Sequence, residues 1–83
     1  MDPQAQRIRE LVIEAGVLID WLETGRGDLE IVGAALLYLR DELGALADQT
    51  ADAEACSAGC EMVASVDNLL ANPPVRRERG RAA

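Results

Sequence analysis

Apolar residues recur along this chain at spacings of three and four, the pattern of helices that bury one face. Ile8, Leu11, Val12, Ala15, Leu18, Ile19 and Leu22 form a first stripe. Asp2 and Pro3 precede it as N-cap and first helical residue. Thr24-Gly25-Arg26-Gly27 follows it, with two glycines suited to the left-handed backbone that ends a helix. Leu29, Val32, Ala35, Leu36, Leu39, Leu43 and Leu46 repeat the stripe behind a capping Asp28. Thr50 or Asp52 opens a third, formed by Cys56, Gly59, Cys60, Val63, Val66 and Leu70 and widened by Ala55, Met62 and Leu69. Asn72-Pro73-Pro74 closes it, since proline disfavours helix before it and lacks the N–H to continue one. The pattern predicts an all-α fold, a small three-helix up-down-up bundle over about residues 1-72 with helices near 3-24, 29-48 and 51-71. Residues 73-83 read as a disordered basic tail. Gly33 and Gly44, inside the second helix and on nearly one edge of it, suggest close approach of another backbone or tolerated neutral glycines.

One core does not absorb every apolar residue. Ile13, Val17 and Trp21 are spaced four apart and point roughly opposite to the first stripe. The second helix carries a weaker echo in Ile31, Ala34, Tyr38 and Ala45, with Leu37 nearby. A line of this kind containing the only Trp has the composition of an interface. A domain of 83 residues also gains from sharing buried surface. A homodimer through the second apolar faces of helices one and two is therefore expected.

Composition narrows the partners. Residues 1-72 hold fourteen Asp and Glu against four Arg, while residues 73-83 hold four Arg against one Glu, so a body near −10 carries an arm near +3. A body this negative repels nucleic acid and anionic lipid, which leaves only the arm to attract nucleic acid weakly. No apolar run approaches the length of a membrane span, and no charged leader precedes an apolar segment, so a cytoplasmic protein is expected. Arg is the sole basic residue and Ala is abundant, which fits a GC-rich bacterial or phage genome.

Candidate chemistry is sparse. His and Lys are absent, which removes the commonest general bases, and the inward Glu-x-x-His pattern of di-metal bundles is missing, so no enzyme activity and no cofactor or metal are expected. Cys56 and Cys60, one turn apart on the third stripe, read as small buried side chains. The only zinc reading left would need two subunits to supply four thiolates. Arg26-Gly27-Asp28 spells an adhesion tripeptide, but a helix exit and a cap account for it. Asp67 lies beside the inward stripe near a helix C-terminus, where negative charge is disfavoured. An adjacent Arg9 or Arg40 would make it structural, and otherwise it is a candidate ligand contact.

The function expected from these features is a small acidic protein-protein interaction module, an adaptor or inhibitor of a larger protein. Its contact anchors are Ile13, Val17, Trp21, Ile31 and Tyr38, within an acidic rim of Glu14, Asp20, Asp41 and Glu42 that favours a basic target. The alternative is a homo-oligomeric sponge or sensor in which Arg40, Arg7 or Arg9 clamps a small anionic ligand, with Asp67 beside it. Acidic mimicry of DNA is a third reading, weakened because the charges alternate with apolar residues.

Overall fold

The structure, a computed structural model, describes residues 2–73. Three helices, α1 (Pro3–Glu23), α2 (Leu29–Gln49) and α3 (Ala53–Ala71), all pack against one another. The expectations for the basic arm lie outside the described residues.

Each helix starts on an aspartate in extended conformation, whose carboxylate takes up a backbone N–H that the helix leaves without a partner: Asp2 accepts from Gln4, Asp28 from Glu30 and Asp52 from Ala55. Of the two candidate caps for α3, Asp52 takes the role, and Thr50 instead ends α2. The exit from α1 depends on Gly25, whose φ of 76° is the one left-handed backbone in the described chain. The Gly25 N–H donates to the Leu22 carbonyl at 3.2 Å and the Arg26 N–H to the Trp21 carbonyl at 2.8 Å, the bond pair of a Schellman turn. Gly27 belongs to the same exit and Asp28 caps α2, so the adhesion tripeptide is fully used by the turn.

Contacts along the bundle fix its directions. Arg7 near the start of α1 meets Glu42 near the end of α2, and Arg40 of α2 meets Asp67 near the end of α3. Adjacent helices are therefore antiparallel, and α1 and α3 are parallel: Arg9 reaches Asp52 at one end, while Glu23 and Asn72 share a groove at the other. The core is built from Ala5, Ile8, Leu11, Ala15, Leu22, Val32, Leu36, Leu39, Leu43, Ala47, Ala55 and Val66, with no buried polar or charged residue among those described. Each fully buried Leu or Ile adds roughly 2 kcal/mol of transfer free energy. Gly59 sits where all three helices meet. A Cβ there would lie 3.4 Å from Ile8 Cγ2 and 3.5 Å from Ala47 Cβ.

Several expectations need correction. Gly44 faces open space, and a Cβ at Gly33 would make only ordinary contact with Leu70 at 3.6 Å, so neither glycine serves close backbone approach. Leu29 and Ala35 are exposed, because the buried line of α2 runs through Val32, Leu36, Leu39, Leu43 and Ala47. In α3 the inward line is Ala55, Gly59, Met62 and Val66. Cys60 falls about 120° from Val66 on that helix and is exposed, and Cys56 is only half-buried. Their expected burial in the core is overturned.

Candidate interaction surface

The second apolar line of α1 lies in solvent. Ile13 is 69% exposed, Val17 47% and Trp21 43%, and on α2 Ile31 is 70% and Tyr38 69% exposed. Arg7, Glu10, Ile13, Glu14, Val17, Leu18 and Trp21 of α1 and Ala35 of α2 line a groove of about 740 Å³. Ala35 contributes only a methyl group to that lining, and Leu18 is partly buried against the core.

Ile31, Ala35, Tyr38 and Glu42 succeed one another at steps of four, three and four, so they form one stripe on α2. Ala35 of that stripe lines the groove and Glu42 meets Arg7 of α1, while Ile31 and Tyr38 are exposed on the same stripe, outside the residues that line the groove. Of the five anchors expected from the sequence, Ile13, Val17 and Trp21 line this depression, and Ile31 and Tyr38 do not. Leu37 is exposed but projects from the other side of α2 and does not belong to it.

The charged residues divide differently from the expected rim. Glu14 lines the groove, and Asp20 is exposed on the opposite flank of the Ile13-Val17-Trp21 line. Glu42 closes one end, half-buried, with its Oε2 3.6 Å from Arg7 Nε. Asp41 is elsewhere, on the α2/α3 groove with Arg40, Asp48 and Cys60. Glu10, outside the expected rim, is a lining residue and pairs with Arg7 at 3.3 Å. Its position one turn before Ile13 and Glu14 was the available signal.

Arg7, Arg9 and Arg40, the candidate clamps, are already engaged. Arg7 is shared by Glu10 and Glu42, Arg9 faces Asp52 at 3.6 Å, and Arg40 lies between Asp41 at 2.8 Å and Asp67. The Asp67 contact is an ion pair whose alignment falls short of a hydrogen bond. Asp67 therefore has the structural partner that its position demanded, and a small anion at any of these guanidinium groups must displace a resident carboxylate.

No family model, curated protein or solved structure matches the chain.

The remaining chemistry is limited. Desolvation by its surroundings, and then the neighbouring Cys56 thiol, push the exposed Cys60 thiol above its ordinary range, which keeps it protonated near neutral pH. Among the described residues no group of three or more His, Cys, Asp or Glu is placed to hold a metal ion. No described helix is long and apolar enough to cross a membrane. What the surface offers is an apolar groove with acidic margins.

Proposed function

We propose that this chain is a protein-protein interaction module, an adaptor or inhibitor that covers a surface of a larger protein through the α1/α2 groove. One observation carries the reading. Ile13, Val17 and Trp21 line a single depression in water, with Ile31 and Tyr38 exposed on the neighbouring helix, although the bundle already has a complete core without them. Single exposed apolar residues are common, whereas a contiguous set that includes Trp and Tyr is typical of binding surfaces. The mechanism is steric or conformational and involves no covalent step. The Arg-only basic composition and abundant Ala suit a bacterial or phage setting.

Self-association is the second reading, favoured by the same face and by the small size of the chain. Light scattering on the purified protein measures it directly. For the first reading, Trp21→Ala and Val17→Ser proteins are compared with wild type in pull-downs from a host extract. All three should keep the same helical circular dichroism, since neither side chain belongs to the core. A partner retained by wild type and lost from both variants is the expected result. An unchanged set of bound proteins sinks the proposal.

A further inference from the structure

We infer that the occupant of the α1/α2 groove is an amphipathic helix of another protein, apolar on one face and rich in Arg or Lys along its margins, rather than a second copy of this chain. The inference rests on the reading of the groove as a docking site and adds the chemistry of what docks there.

Shape sets the class of ligand. The groove runs between two antiparallel helices and is lined by the apolar side chains of Ile13, Val17, Leu18 and Trp21 of α1 and by the small Ala35 of α2. A helix lays its apolar face into such a trough with anchors one turn apart, matching the spacing of Ile13, Val17 and Trp21. The described chain holds only helices, so no sheet edge is offered for an extended peptide to join.

Charge sets the flanks of that ligand. Glu10 and Glu14 stand on the groove side of the apolar line, Asp20 on its other side and Glu42 at one end. Arg7 is the one cation among the described residues that line the groove, and Glu10 and Glu42 already hold it. Glu14 and Asp20 have no ion-pair partner among the described residues. The margins thus carry surplus negative charge on both sides of the apolar line, and Arg or Lys on a docked helix would meet it.

The same margins oppose a second copy. A two-fold axis through Val17, the middle of the apolar line, would set Ile13 of each copy on Trp21 of the other. It would also gather both Glu14 side chains on one flank of the contact and both Asp20 side chains on the other, where the described residues supply no free cation. Each copy carries a net charge of −7, so the long-range field adds to this local repulsion. Like charges brought together at an interface exclude wrong partners in this way.

The test uses the full chain and two synthetic helical peptides of about eighteen residues, which share a Leu face and differ in having Arg or Glu at every margin position. Trp21 is the only Trp, so its emission reports docking directly. The Arg peptide should bind and shift that emission to the blue, and the Glu peptide should not. By calorimetry, Trp21→Ala should weaken the Arg peptide roughly 30-fold. Combined Glu10→Gln, Glu14→Gln and Asp20→Asn should weaken it about tenfold at low salt. Equal binding of the two peptides, or no binding of the Arg peptide, overturns the inference. If Trp21→Ala abolishes capture of a natural partner while the charge variants leave it intact, the interaction reading stands and only the basic helix falls. Replacing Arg76, Arg77, Arg79 and Arg81 by Gln should leave peptide affinity unchanged. A gain of about tenfold or more would mean that the chain's own basic segment competes for the groove, which also overturns the assignment.

Discussion

Asp2 joins three parts of the chain through one short side chain. Its Oδ1 accepts the Gln4 N–H at 3.0 Å and so caps α1, while its Oδ2 accepts from the Thr50 hydroxyl at 2.6 Å and from the Ala51 N–H at 3.1 Å. The start of α1 is thereby tied to the turn between α2 and α3. The Thr50 hydroxyl, the strongest of these donors, favours the ionised carboxylate and lowers the Asp2 pKa from its ordinary value of 3.8. A carboxylate whose pKa is lower in the folded state contributes stability that is present above 3.8 and lost as the pH falls through the folded value. Asp2→Asn should therefore lower the urea midpoint at neutral pH, and the difference from wild type should shrink as the pH falls below 3.8. A difference that stays constant across that range would show that the ionised form has no special role. The capping half of this arrangement was legible from Asp2-Pro3. The tie to Thr50 was not, because nothing local in the sequence says that residues 48 positions apart meet.

At the scale of the helices, period alone carried the architecture, since three stripes of Leu, Ile, Val and Ala with an aspartate before each leave few other ways to bury them. The exact inward line was harder to read. Steps of four advance a residue around the helix by about 40°, so a line drawn through Cys56 and Cys60 drifts off the core while Ala55, Gly59, Met62 and Val66 stay on it. Small residues hid that line, because Ala and Gly weigh little in an apolar pattern yet occupy the closest contacts. The second face was visible because Ile13, Val17 and Trp21 are too large to overlook, whereas the groove between helices depends on register and could only come from the fold. α2 separates the two duties cleanly. Leu36 is fully buried, and Leu36→Ala should cost about 2–5 kcal/mol in a denaturant titration. Ile31→Ser and Tyr38→Ser, on the exposed side, should each change stability by less than about 0.5 kcal/mol while weakening partner capture. Destabilisation by either serine variant comparable to that of Leu36→Ala would mean that the second face belongs to the core after all.

Across the whole molecule, the acidic surface and the apolar groove respond to salt in opposite ways according to what occupies the groove. The chain carries a net charge of −7 and its isoelectric point is near 4.3, so near neutral pH copies repel one another and attract cationic partners. Screening shortens the reach of that field from about 10 Å at 0.1 M salt to about 3 Å at 1 M, while the burial of Trp21, Ile13 and Val17 is nearly unaffected. Association between copies should therefore strengthen as salt is added, because the repulsion among the Glu14 carboxylates on one flank and the Asp20 carboxylates on the other is screened and the apolar contact remains. Docking of a basic helix should weaken over the same range, because its attraction to Glu10, Glu14 and Asp20 is what screening removes. Light scattering of the protein alone and Trp21 emission with the Arg peptide, both followed from 0.05 to 1 M salt, read the two trends on one sample. Opposite slopes are the expected result. A stable dimer already present at the lowest salt, with the peptide unable to enter, would instead assign the groove to a second copy and give the acidic margins a role in keeping that dimer from larger assembly.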